Sequence, residues 1–338
     1  MKTARATARR LGHDASSIAE AEARWATKGS ASISELGDWD NCPLKHYLAR
    51  VVRHQPEVPS HYLVLGIAVH DALHKIADDH VHGRDVDADR IDHLWEEAAA
   101  DAGLLEHYPD LLGEGRALTQ AGADLLADIT PDNILALEDW LPRGFAVGQV
   151  PIVGRLDLAY LADDGAVVVL DWKTSKRPPA LRPGSRSGAG PGINPQLGVY
   201  ACAAQQLQAD GIWPDGPIRA VFGMLRQERV IGLDLQDEDP ARLRAWIEPL
   251  YGAMRSCRDP QPTPNRLCDW CDFQVACPAF VPLEPDLDVR HVVEQLELAG
   301  VPWPRIAAEA LTVNEEGLAA ILATEPSVRD AIYNGARR

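Results

Sequence analysis

The sequence predicts an α/β fold, and three observations carry that prediction. Apolar residues recur at helical spacing through most of the first 140 residues, and the period then switches to that of strands between Val147 and Asp171. Val167-Val-Val-Leu170 is an unbroken apolar run of the kind carried by a strand buried on both faces. A further helical segment then separates this strand region from two more strands, as a mixed sheet flanked by helices requires.

Residues 1–30 begin with Lys2, Arg5, Arg9 and Arg10 and read as a disordered basic tail with an Ala/Glu-rich patch of short helix. From Ser32 the pattern tightens, with Trp39, Cys42, Leu44, Tyr47 and Leu48 at helical spacing. A helix is predicted from Val64 to His80, with Leu65, Val69, Leu73 and Ile76 on one face. Asp87 to Leu141 reads as mostly helical, broken near Pro109 and Pro131. Strands are predicted at Val147–Val153, Arg155–Leu161 and Ala166–Asp171, the last two joined by the turn Asp163-Asp164-Gly165. A loop of about twenty residues rich in Pro, Gly, Ser and Arg follows Lys173, a length that usually signals function. The remaining predicted elements are a helix at Pro195–Ala209, strands near Ile218–Leu225 and Glu228–Leu235, and a helix at Pro240–Ser256.

Beyond Asp286 the chain reads as short, net acidic helices. Arg305 to Leu322 has helix-turn-helix spacing, but no Lys or Arg lies between Asn314 and Pro326 to meet DNA. Residues 284–338 are therefore expected to form a small helical extension that packs or binds a protein partner.

At 338 residues, 46% hydrophobic and 25% charged, the chain has the composition of a globular protein with a substantial core. No uninterrupted apolar stretch is long enough for a bilayer, and no apolar run follows the basic N-terminus, so neither a membrane span nor a secretory signal is expected. The net charge of −17 argues against tight binding to nucleic acid through bulk charge. Binding follows the local field, however, and residues 171–190 carry Lys173, Lys176, Arg177, Arg182 and Arg186 against Asp171 alone. No phosphate-binding Gly-x-x-x-x-Gly-Lys-Ser/Thr loop occurs, so no ATP-driven step is expected.

Asp171-Trp172-Lys173 ends the apolar strand, where ionisable groups are costly unless something uses them. A hairpin brings Asp157, in Gly154-Arg-Leu-Asp157, toward Asp171, and hard divalent cations take such oxygen ligands. Lys173 then points its ammonium at the same place, where it can offset negative charge in a transition state; a structural Asp–Lys ion pair is the plainer reading. Gly66-Ile-Ala-Val-His70 puts a histidine one turn after a glycine, a candidate nitrogen ligand, although a lone helical histidine is more often structural. His70 and His74 at i and i+4 also fit a zinc protease, but Asp71 replaces the usual glutamate and no third ligand follows. Gln196-Leu-Gly-Val-Tyr200 places a carboxamide and a phenol on one helix face.

Cys268-x2-Cys271-x5-Cys277 supplies three thiolates from one loop, with Cys42 or Cys257 as the fourth, while Cys202 reads as a buried core thiol. Without a secretory signal, an intracellular metal site explains the cluster better than disulfides do. Zinc or an iron–sulfur cluster would each satisfy four thiolates; the wide x5 gap and the remote first ligand favour a cluster.

Taken in order, these residues resemble the RecB-like branch of the PD-(D/E)XK nuclease superfamily in its iron–sulfur form. Similar proteins are the small CRISPR-associated and phage exonucleases and the AddB-type nuclease domains. The matching motifs are Gly66 to His70, Gly154 to Asp157, Asp171 to Lys173, Gln196 to Tyr200 and the one-plus-three cysteines, and the resemblance covers about residues 31–283. It implies a restriction-endonuclease-like core with a helical insertion, and a Mg2+- or Mn2+-dependent DNA exonuclease acting on single strands or ends in replication, recombination or repair. Its implied metal ligands are His70, Asp157, Asp171 and the Trp172 carbonyl, with Asp157, Asp171 and Lys173 catalytic. Gln196 and Tyr200, with the basic Lys176 and Arg177, would contact DNA. Cys42, Cys268, Cys271 and Cys277 would hold a structural 4Fe-4S cluster. The corresponding location is cytoplasmic, in a bacterium or in the host of a phage. A non-catalytic subunit that keeps the fold is the alternative.

Overall fold

A computed structural model of the chain describes residues 3–56, 59–183 and 190–281. The extension expected over 284–338, with its helix-turn-helix spacing, lies outside the described residues. The chain divides into two compact units, one of residues 1–28, 37–56 and 254–338 and one of residues 29–36 and 57–253.

The first unit departs from the disordered tail that the sequence suggests. Helices α1 (Thr3–Arg10) and α2 (Ala15–Thr27) occupy that stretch, and Asp14 caps α2 by accepting the Ser17 N–H at 2.7 Å. Ala4, Ala8 and Ile18 pack with Leu44, Tyr47, Leu48, Val51 and Phe273, and Cys42, Cys271 and Cys277 border this core. Alanine contributes little to a hydrophobic periodicity, so a helix seated through Ala4 and Ala8 reads as a polar tail. After α3 (Ile33–Asn41), Cys42 precedes the short α4 (Pro43–His46), and Pro43 fills the first helical position, where a missing N–H costs nothing. A π-helical turn, Tyr47–Val52, closes on Arg53 in the left-handed region.

The second unit contains a five-stranded mixed sheet. Helices α5 (His61–Val81), α6 (Ala88–Asp101), α7 (Leu104–His107) and α8 (Leu112–Ala127) come first. The predicted helical region then ends early, because Ile134–Leu137 is strand β1. The run predicted as one strand at Val147–Val153 is instead a small hairpin of β2 (Ala146–Val147) and β3 (Val150–Pro151), turned at Gly148 with φ of 62°. Strands β4 (Leu158–Leu161) and β5 (Val167–Lys173), helix α9 (Pro195–Ala209), strands β6 (Ile218–Met224) and β7 (Arg229–Asp234), and helix α10 (Asp239–Ser256) follow. The sheet order is β1-β4-β5-β6-β7, with β5 and β6 parallel and the other pairs antiparallel. Among the described residues no helix is long and apolar enough to cross a membrane.

The pleat of β5 sorts its residues between two layers. Val168, Leu170 and Trp172 join one core with Leu65, Val69, Leu73, Trp95 and Leu126 from α5, α6 and α8. Asp171 and Lys173 therefore share the opposite face, and on that side Asp171 meets the Gln196 side chain of α9. Gly223 makes room for Trp172, since a Cβ there would lie 2.5 Å from the indole.

The long loop between β5 and α9 is anchored at its described ends. Arg182 makes a two-pronged contact with the fully buried Asp239, at 2.7 and 3.1 Å, and donates to the Gly192 carbonyl at 2.6 Å. One cation of the basic stretch is thus committed to structure rather than held out to a ligand.

A second buried carboxylate joins α5 to the start of α6. Asp79 is 3% exposed, accepts from Arg90 at 2.7 Å and pairs with Arg84. The Arg90 hydrogen bond, and then that of Arg84, hold its carboxyl below the usual carboxylate range against the effect of burial. As pH falls, the unfolded chain therefore binds the proton first, so the stabilisation is complete above about pH 5 and is lost toward the folded-state value. In urea unfolding, Asp79→Asn should lower the midpoint at pH 7, and the gap from wild type should narrow steadily below about pH 4. A gap independent of pH would contradict this role.

Candidate active site

The sheet register builds the site. Leu158 pairs with Leu170 at the last rung of β4 and β5, so Asp157 and Asp171 lie just past the end of that ladder. Beyond it the Asp157 carboxylate accepts the Trp172 N–H at 2.8 Å. His70, from the middle of α5, brings Nδ1 to 3.4 Å from the same Asp157 oxygen, Oδ2. Its ring also has the Trp172 backbone as a hydrogen-bond partner. Four residues from three separate segments thus converge.

Asp171 and Lys173 are locked by α9. Asn194 caps that helix by accepting the Gln196 N–H at 3.1 Å, which fixes where the Gln196 side chain begins. The Gln196 amide donates to Asp171 Oδ1, while its Oε1 accepts from Lys173 Nζ at 2.9 Å. Asp171 Oδ2 is buried without a regular hydrogen bond and faces the Lys173 ammonium. The same ammonium lies 5.2 Å from the centre of the Phe222 ring.

Glu138, which the sequence reading missed, completes the group. It follows β1, adopts φ of 49° and donates its N–H to the Asp157 carbonyl at 3.0 Å. A left-handed conformation at a non-glycine residue costs energy and tends to persist at functional sites. Ligand atoms of His70, Glu138 and Asp157 lie within 4.8 Å of one another, the one such group of three among the described residues. Arg155 Nη2 stands 2.5 Å from Glu138 Oε2. The overlooked signal was Ile134-Leu-Ala-Leu-Glu138, a short apolar run ending in an acid, which looked like more helix.

This composition makes the carboxyls costly to ionise together. Burial, and then the charge of Asp171, push the Asp157 carboxyl well above the usual carboxylate range. Burial raises Glu138 despite Arg155, and burial lowers the His70 imidazolium, which keeps that ring neutral and able to bind a cation. Two carboxyls and a neutral imidazole with few protein donors fit a hard divalent ion that keeps some of its own waters.

The expected ligands are distributed differently. Asp171 stands outside the His70, Glu138 and Asp157 group, engaged instead by Lys173 and Gln196. His74, one turn beyond His70, is also outside that group among the described residues. Tyr200 is 5% exposed, with its hydroxyl 3.3 Å from Gln196 Nε2, and burial makes it a weaker acid than a free phenol. Tyr200 and Gln196 therefore face the carboxylates rather than solvent. Lys176 and Arg177 are exposed on the loop after β5.

In the first unit, the Thr263 N–H donates to Cys42 Sγ at 3.4 Å and the Asn265 N–H to Cys268 Sγ at 3.3 Å. Burial raises the thiols of Cys271 and Cys277, the latter to about 11, and the charges of neighbouring cysteines raise both further. No three of these sulfurs form a single-ion group within 4.8 Å among the described residues. A tetrahedral zinc site would need sulfurs about 3.8 Å apart, from bonds near 2.3 Å. Cys257 is exposed, and burial pushes the Cys202 thiol up to about 11.

Residues 30–278 match the sequence profile of the PD-(D/E)XK nuclease superfamily. No curated protein sequence matches the chain. The profile spans well over half of the sequence and brackets the whole sheet, its flanking helices and the carboxylate site. The chain belongs to the PD-(D/E)XK nuclease superfamily, whose members are typically metal-dependent nucleases.

Proposed function

We propose that this protein is a Mg2+- or Mn2+-dependent DNA exonuclease of the RecB-like branch, hydrolysing phosphodiesters of single strands or ends in recombination or repair. The observation that carries the reading is the meeting of Asp157, Asp171 and Lys173 at one sheet end with His70 and Glu138. His70, Glu138 and Asp157 are the residues that would hold the cation, and Asp171 and the Trp172 carbonyl are the further ligands that the family resemblance implies. A bound divalent ion supplies Lewis acidity and charge neutralisation at the phosphate.

The protein's own groups do the rest. Lys173 presents a fixed ammonium beside the carboxylates, where it stabilises negative charge developing on phosphoryl oxygens. Gln196 acts as a positioning residue, because one amide orients both Lys173 and Asp171. Tyr200 holds that amide from behind. Lys176 and Arg177 would meet the phosphate backbone on the solvent side. The non-catalytic alternative leaves this costly arrangement of buried ionisable groups without a use.

The one-plus-three cysteines support a structural 4Fe-4S cluster held by Cys42, Cys268, Cys271 and Cys277. Residues more than two hundred positions apart share one unit, and backbone N–H groups are aimed at Cys42 and Cys268.

Lys173→Ala should lower Mn2+-dependent release of nucleotides from labelled single-stranded DNA by about 10²–10³-fold at a temperature where circular dichroism shows both proteins folded. Equal rates in both proteins would remove Lys173 from the chemistry. Protein purified without oxygen should be brown, and Cys42→Ala should lose iron and thermal stability together. Colourless wild-type protein containing zinc would contradict the cluster.

A further inference from the structure

Trp140 is 72% exposed, the most exposed large apolar side chain among the described residues. It sits on the ribbon that continues β1 and β4 past the site. Trp140 bridges Arg155 in antiparallel fashion, flanked by the Leu141 N–H to the Gly154 carbonyl at 2.9 Å and the Leu156 N–H to the Asp139 carbonyl at 2.8 Å. Those two bonds make Trp140 and Arg155 a non-hydrogen-bonded pair, the type whose side chains project together from one face and approach closely. Arg155 in turn holds Glu138. On the same strand the exposed positions alternate with buried ones: Ile152 and Leu156 are inside, while Val153 is 42% exposed and Arg155 also faces solvent. The solvent face of this ribbon thus runs from the metal-ligand candidates through a guanidinium to an unpartnered indole with Val153 beside it.

Resting on the nuclease reading, we propose that Trp140 is a stacking platform for a base of a single-stranded DNA substrate, next to the phosphodiester bound at the carboxylate site. Three features select that occupant. The platform lies two residues beyond Glu138, across the ribbon from Arg155, which contacts Glu138 directly. An aromatic face binds any base in a strand whose bases are not already paired, so it needs no sequence signal. A chain of net charge −17 gains little from bulk attraction to phosphate, and stacking is the interaction that charge does not weaken. Arg155, neutralised in part by Glu138, separates the platform from the cation-binding group and offers its remaining N–H donors to the intervening phosphate.

The test uses labelled single-stranded DNA with an abasic residue placed at successive positions, cleaved by the full-length protein. Trp140→Ala and Trp140→Leu should each raise KM about 5- to 100-fold with kcat within about 3-fold of wild type, and Trp140→Phe and Trp140→Tyr should recover most of the loss. Wild type should show the same penalty with the abasic residue at one position, and Trp140→Ala should be indifferent to it there. A leucine variant as good as phenylalanine, or abasic and alanine penalties that multiply, would overturn the platform. Binding of the same DNA to a Lys173→Ala background in Ca2+, read by fluorescence anisotropy, separates this claim from the catalytic one. Loss of binding on adding Trp140→Ala supports the platform even where no cleavage occurs, and unchanged binding refutes it.

Discussion

Two carboxylates that a folded chain would ordinarily keep apart are held together here, and the rest of the second unit is arranged around that fact. Asp157 and Asp171 lie beyond the last rung between β4 and β5, shut away from most water, and burial followed by the charge of Asp171 makes Asp157 hard to ionise. Such a pair persists only where surrounding structure over-determines it. That structure is visible: the Trp172 N–H fixes Asp157, the Gln196 amide and Lys173 ammonium fix Asp171, and Arg155 fixes Glu138. The result is a rigid pocket of negative charge with an ammonium on one side and a neutral imidazole on the other, which is a place for a divalent cation.

The division of labour across β5 explains how this cost is tolerated. One face of the strand is wholly apolar and packs against α5, α6 and α8, while the other turns Asp171 and Lys173 toward α9. The buried valines and leucine of β5 stabilise the fold enough to carry a polar site at its end, and α9 enters at a capped N-terminus that aims Gln196 directly at the pair. Function then depends on the β5–α9 relation, which the anchored Arg182–Asp239 contact at the end of the intervening loop helps to hold.

Much of this was legible in the sequence, and the limits have physical causes. β5 could be read because a run of four apolar residues followed by Asp-x-Lys contradicts ordinary burial rules, and α9 because Asn194-Pro195 is a strong helix start. Asp157 was legible from its hairpin turn. Glu138 was not: β1 has four residues, too few to show a period of two, and it follows sixty residues of helix. The positive φ that swings Glu138 into the site has no signature in its side chain. α1 and α2 were hidden by their alanines, whose burial depends on partners far along the chain. The inward role of Gln196 and Tyr200 was also out of reach, since helix spacing gives a shared face but not what that face meets.

On the proposed reading, a divalent cation relieves the cost of holding Asp157 and Asp171 together. Thermal unfolding of wild type and Asp157→Asn at pH 7, each with and without Mn2+, tests it most directly, because the asparagine keeps an acceptor for the Trp172 N–H and removes only the charge. The metal-free variant should unfold at or above the wild-type temperature, and Mn2+ should raise the midpoint of wild type alone. A metal-free variant less stable than wild type, with an equal Mn2+ shift in both, would contradict it.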